Sequence, residues 1–254
     1  MILEEFALLA SDTARSKAYL QSMIHEEKYP KVCVVYSDDI AEMQKEACGY
    51  QENSKRQKYF DIDIPILYSL KQAGIAYLLV ETKDINSPQM EEVIKKLEQK
   101  YLIYSGYGGY ILKPHLFQMN KKYIHVHAGI LPRYRGSTTA YYSYLQEGIF
   151  GAAAIFLNEK IDEGEIITQD TFGIPEQDVN IDYIYEPYIR SRVLVEVLEK
   201  YLREGGLTSE GQGQKRAETY YIIHPVLKHI ALMGIENSRH NISGISESNA
   251  GREI

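Results

Sequence analysis

Short apolar runs alternate with polar, well-capped segments along this chain. Glu5-Phe-Ala-Leu-Leu-Ala-Ser11 reads as a buried strand, and Asp12-Thr13 offers an N-cap to a helix running to about Glu26. Lys31-Val-Cys-Val-Val-Tyr-Ser37 is a second β-rich run. Strand, helix and strand joined by short links predict a parallel sheet with a right-handed crossover. Residues 43–62 are polar and poorly periodic, which predicts a helix fragment and a loop. Pro65 to Ala73 reads as a helix and Ala76 to Val80 as a short strand. Ser87-Pro88 is a clean helix start, with serine as cap and proline in the first turn, and that helix runs to about Gln99. Tyr101 to Tyr104 is another strand, Pro114 opens a short helix, and a further strand falls at about 123–128.

Beyond Gly136, Ser137-Thr-Thr is expected to cap a helix through Glu147. Gly151 to Leu157 reads as a buried strand, Asn158 to Gly164 as a polar turn, and Glu165 to Phe172 alternates as the second arm of an antiparallel hairpin. Asp182 to Tyr201 is a long amphipathic helix, with Pro187 either tolerated within it or marking its true start, and Gly205-Gly206 ends it. Residues 208–218 read as a polar linker, with Thr219 to Ile223 and Pro225 to Met233 as the last ordered pieces. No internal repeat is present. The pattern predicts an α/β domain with a mostly parallel, Rossmann-like sheet ending in an antiparallel hairpin. Its expected divisions are a catalytic domain over 1–205, a C-terminal extension over 206–235, and a disordered tail over 236–254.

Composition narrows the partners. The chain has 254 residues, enough for one domain with a sizeable core, and a net charge of −7. Basic residues are not concentrated, so a nucleic-acid partner such as tRNA is not expected. Two cysteines make neither a disulfide framework nor a zinc cluster. The amino terminus lacks a signal-peptide pattern and no apolar run reaches membrane-spanning length, so a cytoplasmic protein with no membrane partner is expected. The 22 tyrosines against no tryptophan suit a wet, polar-ligand surface, although packing in place of Phe and Trp is the plainer account.

Candidate chemistry centres on Tyr123-Ile-His-Val-His-Ala-Gly-Ile-Leu-Pro-Arg-Tyr-Arg-Gly136. His125 and His127 lie two apart on a strand, so both imidazoles project from one face at an irregular strand exit. From the residues alone, metal ligation with Asp162 as third ligand ranks first, and two packed core histidines are the bland alternative. Upstream, Ser105-Gly-Tyr-Gly-Gly-Tyr matches neither the phosphate loop nor the dinucleotide fingerprint, but its glycines allow close backbone approach to a ligand. Arg133 and Arg135 are either solvated charges or a means of steering an anionic substrate.

The Gly-rich turn, the string His125-Val-His127-Ala-Gly-Ile-Leu-Pro132 and Asp162-Glu-Gly-Glu-Ile166 together resemble the folate-dependent formyltransferases. That family includes the glycinamide ribonucleotide, methionyl-tRNA and nucleotide-sugar N-formyltransferases. Its signature is Asn-x-His with a following proline, then Asp-x-Gly-x-Ile. The resemblance implies that an amine attacks the formyl carbon of N10-formyltetrahydrofolate as cosubstrate, with no metal expected. It makes His127 the proton shuttle and Asp162 the carboxylate that holds it and raises its pKa. The pterin ring is expected against main chain matching Gly108, Gly109, Tyr110 and Ile111 on one side and Asn158, Glu159, Lys160 and Ile161 on the other. Arg133, Arg135 and Gly136 are the expected acceptor-side residues. His125 stands where the family has Asn, and is expected to donate to the formyl oxygen, better when cationic. Ala128 replaces a proline. The implied reaction is formyl transfer to a small amine, a nucleotide-linked amino sugar leading, with homodimerisation open. Three alternatives stay open: another one-carbon transfer or hydrolysis of formyl-folate, a non-catalytic ligand-binding protein, and a metal-dependent hydrolase on His125, His127 and Asp162.

Overall fold

The computed structural model describes residues 1–51, 57–213 and 217–250, the last ten of these by backbone alone. In chain order the elements are β1 (Ile2–Ala10), α1 (Ala14–His25), β2 (Tyr29–Ser37), α2 (Ile40–Gly49), α3 (Ile66–Gln72), β3 (Tyr77–Glu81), α4 (Pro88–Lys96), β4 (Tyr101–Ser105), α5 (Pro114–Phe117) and β5 (Lys122–His127). There follow β6 (Arg135–Gly136), α6 (Thr139–Glu147), β7 (Phe150–Phe156), β8 (Ile166–Phe172), α7 (Glu186–Glu204), β9 (Thr219–Tyr220) and α8 (Pro225–Ala250).

The main sheet has seven strands in the order β3-β2-β1-β4-β5-β7-β8. The first five run parallel; β7 pairs antiparallel with β5, and β8 antiparallel with β7. This is the predicted Rossmann-like sheet with its terminal hairpin. Period-two alternation builds both layers: Phe6, Leu8 and Ala10 of β1 join the core beneath α1 and α7, while Ala7 and Leu9 join the one beneath α4. In α7 the buried stripe Ile189, Val193, Leu194, Val197 and Leu198 follows helical spacing. Full burial of each such side chain contributes about 1.5–3 kcal/mol.

The strand order reverses direction between β1 and β4, and there the loops after the two strands diverge. A crevice at the carboxyl ends of parallel strands is the expected ligand position in an open α/β sheet. Of the residues below, Arg15 follows β1, Gly108 to Ile111 follow β4 and the two histidines end β5, while Asp162 comes from the turn between β7 and β8 and Arg190 from α7.

Several expectations change in detail. Within the polar stretch 43–62, the helix is α2, beginning at Ile40 because Asp39 caps it by accepting from the Glu42 N–H at 3.0 Å; residues 52–56 lie outside the described residues. Pro187 stands in the first turn of α7, and Ile181–Tyr185 before it forms a π-helical turn. Thr138 does not cap α6 through its side chain. It is left-handed at φ 52°, and its hydroxyl accepts the Ile223 N–H at 2.8 Å. α8 continues past Glu236, where composition predicts a tail, anchored by fully buried Ile235 and by Arg239, which pairs with Asp178 at 3.0 Å.

The segment read as a linker packs back on the domain. Ile166 and Glu210 exchange two backbone hydrogen bonds of 2.8 Å, and β9 pairs parallel with β6. The chain leaving the histidine strand is thereby fixed by residues more than seventy positions downstream.

Candidate active site

β5 pairs with β4 only over Lys122–Ile124, while β7 pairs with it from Ile124 to His127 and so holds its histidine end. His127, its last residue, is 4% exposed. Its Nε2 lies 2.6 Å from the Tyr134 carbonyl oxygen, which can only accept, so Nε2 carries a proton. Thr139 Oγ1 lies 3.2 Å from the same nitrogen and spends its own proton on the Ala128 carbonyl, which leaves it as a second acceptor. The neutral imidazole therefore keeps its lone pair on Nδ1. Nδ1 faces Asp162 Oδ1 at 3.4 Å. A proton taken up at Nδ1 meets a carboxylate at once.

Asp162 is held from three directions. It adopts φ 53°, a left-handed conformation that Asp tolerates better than most side chains. Its Oδ2 accepts the Gly136 N–H at 2.9 Å. Gln212 Nε2 donates to the carbonyls of Asp162 and Gly164 at 2.8 and 2.7 Å. Gly164 is required by close approach, since a Cβ there would lie 1.8 Å from the Phe156 carbonyl oxygen. The glycine of the Asp-x-Gly motif is thus what lets the turn fold against β7.

The direction of the His127 pKa corrects the sequence reading. Asp162 does raise it, but burial outweighs that contribution, and the imidazole sits below its ordinary value of 6.5. His125 is displaced further in the same direction, well below 6.5, first by burial and then by the cations of Arg190 and Arg15. Its Nε2 is 3.5 Å from Arg190 Nη2, a group that only donates, so this nitrogen acts as acceptor. A cationic His125 as oxyanion donor is not compatible with that setting. The donor standing beside it is Arg190.

Two cavities meet at this point and share Tyr104, Tyr110, His125 and Asp162. The smaller, about 120 Å³, is an apolar slot between Tyr110–Leu112 and Leu157–Ile161. The larger, about 360 Å³, is polar and is lined by Arg15, His127, Glu186 and Arg190 among others. The two segments expected to hold a pterin ring thus face each other across the slot. Tyr110, Ile111, Asn158, Lys160 and Ile161 line it; Gly108 and Gly109 line the polar cavity instead, and Glu159 points to solvent.

Gly136 borders the polar cavity, but Arg133 and Arg135 do not. Arg133 pairs with Glu147 at 2.7 Å on the outer surface. Arg135 is buried, with Nε and Nη2 donating to Gln212 Oε1 at 3.1 and 2.8 Å and Nη1 3.6 Å from Glu163. Its contact is with the turn that carries Asp162 rather than with a ligand. Sequence reasoning missed Arg15, Glu186, Arg190 and Gln212. None belongs to a motif, and Gln212 sits in a stretch whose composition says linker. Among the described residues no three His, Cys, Asp or Glu side chains are grouped to hold a metal ion. His125, His127 and Asp162 do not make such a group.

The sequence pattern of the family described as Formyl transferase matches residues 6–186. The methionyl-tRNA formyltransferase of Lactococcus lactis subsp. cremoris is 25% identical over 199 residues, covering 77% of this chain and 57% of that protein. The chain thus spans less than two thirds of the length of that curated relative. Among solved structures, glycinamide ribonucleotide transformylase 1 from Symbiobacterium toebii has a TM-score of 0.54 at 16% identity, covering 82% of this chain and 91% of that one. The N-formyltransferase from Helicobacter canadensis, solved in complex with folinic acid and dTDP-3-aminofucose, has a TM-score of 0.52 at 14% identity, covering 87% and 71%. At such identities these two likenesses concern the fold.

Proposed function

The chain belongs to the formyl transferase family, and on that footing we propose that it transfers the formyl group of N10-formyltetrahydrofolate to the amine of a small molecule, with nucleotide-linked amino sugars as the leading acceptor class. The observation that carries this reading is His127 Nδ1 facing Asp162 Oδ1 at 3.4 Å, beside an apolar slot and a polar cavity that meet at His125. When bound, N10-formyltetrahydrofolate supplies a formyl group ready for acyl transfer.

The slot residues Tyr110, Ile111, Leu157 and Ile161 suit a flat heteroaromatic ring, and Ile111 and Ile161 leave large apolar surfaces at its rim. Neutral His127 accepts the proton of the attacking amine at Nδ1 and returns it to N10 of the tetrahydrofolate as the bond from N10 to the formyl carbon breaks. Asp162 then stabilises the imidazolium, while the Tyr134 carbonyl keeps the ring from turning. Arg190 supplies cationic N–H groups beside His125, the position from which the sequence reading expected the histidine to donate. The net charge of −7 and a polar cavity of about 360 Å³ support a small acceptor over a polyanion such as tRNA.

The test is incubation with N10-formyltetrahydrofolate and a panel of nucleotide-linked amino sugars, with methionyl-tRNA as a further arm. Formyl addition is read by mass and folate release by absorbance. Amine-dependent release that is lost in His127→Ala supports the reading. Equal release without amine, or unaffected by that substitution, overturns it.

A further inference from the structure

The main-chain carbonyl between the two histidines, that of Val126, is satisfied by a side chain from another element. Tyr123 gives its own carbonyl to the Leu157 N–H, just past β7, at 2.8 Å. Alternation along the strand turns the Val126 carbonyl to the opposite edge, where β4 pairs with β5 only as far as Ile124. Arg190 takes the place of the missing strand, its Nε donating to the Val126 oxygen at 2.7 Å. Its Nη1 donates to Glu186 Oε1, one turn earlier on α7, at 2.8 Å. Its Nη2 stands 3.5 Å from His125 Nε2. Each guanidinium nitrogen thus has its own acceptor, and the residue is 9% exposed at the wall of the polar cavity. A guanidinium carries five N–H groups, so these contacts leave two unused, one of them on Nη2. His125, for its part, has one nitrogen to offer. Its Nδ1 is buried and not open to a ligand. Its Nε2 faces a group that only donates, so the imidazole meets Arg190 as an acceptor.

We propose that His125 and Glu186 are positioning residues: as acceptors from β5 and α7 they aim the Arg190 guanidinium so that the unused Nη2 N–H meets the formyl oxygen of the bound cosubstrate. This deepens the formyl-transfer reading and rests on it. As the amine nitrogen bonds to the formyl carbon, the carbonyl electron pair moves onto oxygen, and Arg190 donates to the alkoxide that results. The pair returns to re-form the carbonyl when the bond to N10 breaks, and N10 takes the proton held by His127. A cationic donor fixed before the reaction needs no reorganisation as this charge develops. His125 then acts through Arg190 rather than on the formyl group, which accounts for an acceptor beside a reacting oxygen that itself needs a donor.

Carbon NMR of bound N10-formyl-5,8-dideazafolate, a stable donor labelled in its formyl carbon, tests the contact without amine and without turnover. Donation from a guanidinium draws electron density from the carbonyl carbon, so the bound signal is expected downfield of the free one. Arg190→Met is expected to abolish that displacement and to lower kcat about 10²- to 10³-fold. His125→Leu and Glu186→Leu are each expected to reduce the displacement and to lower kcat about tenfold, with the KM for the folate unchanged. His125→Gln and Glu186→Gln keep an acceptor and are expected to recover part of both. An Arg190 that only ties α7 to β5 would lower the denaturant midpoint of Arg190→Met and leave the bound signal where it is in the wild type. Should Arg190→Met not fold, His125→Leu decides, since it keeps the bonds of Arg190 to Val126 and Glu186. A wild-type signal that is not displaced on binding, or a displacement unchanged in Arg190→Met or in either leucine variant, overturns the proposal and leaves formyl transfer standing. An analogue that does not bind overturns the formyl-transfer reading and the proposal with it.

Discussion

Arg135 and Gln212 are locked together across the domain: one carboxamide oxygen accepts both Nε and Nη2 of a buried guanidinium, at 3.1 and 2.8 Å. The amide nitrogen of the same side chain then holds the carbonyls of Asp162 and Gly164. The residues that follow the histidine strand and the turn that supplies the carboxylate are thereby tied through a single glutamine.

Gln212→Ala removes that tie and leaves Arg135 buried with Glu163 as its remaining partner. A stability loss of about 1–3 kcal/mol is expected from the unmade hydrogen bonds, read from denaturant midpoints. Turnover is expected to fall about tenfold with little change in the KM for the folate, because Asp162 moves while the slot does not. Gln212→Glu keeps an acceptor for Arg135 but loses both donated bonds; full activity in that variant would show that the turn needs no support from this residue.

His127→Ala is expected to lower kcat about 10²- to 10⁴-fold, the usual range for a lost general base, with folate binding preserved. Asp162→Asn keeps an acceptor for the Gly136 N–H and an αL-tolerant side chain but removes the charge. Since Asp162 raises the His127 pKa, the acid limb of the rate profile is expected to move to lower pH as the maximum falls. An acid limb that stays in place would separate Asp162 from the imidazole electrostatically.

Stability should depend on pH through the buried histidines. Both titrate below their ordinary 6.5 in the folded protein, so the unfolded chain binds more protons between the folded and unfolded values. The stabilisation is full above about pH 6.5 and is lost as pH falls below it toward the folded pKa values. His125→Asn is expected to make that fall shallower. Identical midpoint-versus-pH curves for wild type and variant between about pH 6.5 and 5 would mean that His125 is not held neutral.

Ile111 and Ile161, each 60% exposed, flank the slot. Ile161→Ser is expected to raise the Kd for N10-formyltetrahydrofolate about three- to tenfold by removing apolar surface that the ligand would cover. The amine-side KM should stay put. A change confined to the amine side would place the cosubstrate elsewhere.

Local pattern alone determined much of this protein. The apolar runs of β1, β2, β4 and β7, the alternation of β8, the Ser87-Pro88 start and the Gly205 stop are short-range signals, and the sheet with its hairpin follows from them. Resemblance to the formyltransferase motifs marked His127 and Asp162, whereas strand spacing by itself left His125 and His127 equivalent. Tertiary structure decided what those residues experience. Burial and the cation of Arg190 lower both imidazole pKa values, Arg15 adds to this at His125, and for His127 the outcome is opposite to what its carboxylate partner alone implies. Those cations come from α1 and α7, some 110 residues before and 65 residues after the β5 histidines. Arg135 belongs with Gln212 rather than with a ligand because the chain returns over the site after α7, in a stretch whose composition says only that it is polar. Charge and desolvation act through space, so the partners that tune this site are distant in sequence and carry no pattern of their own.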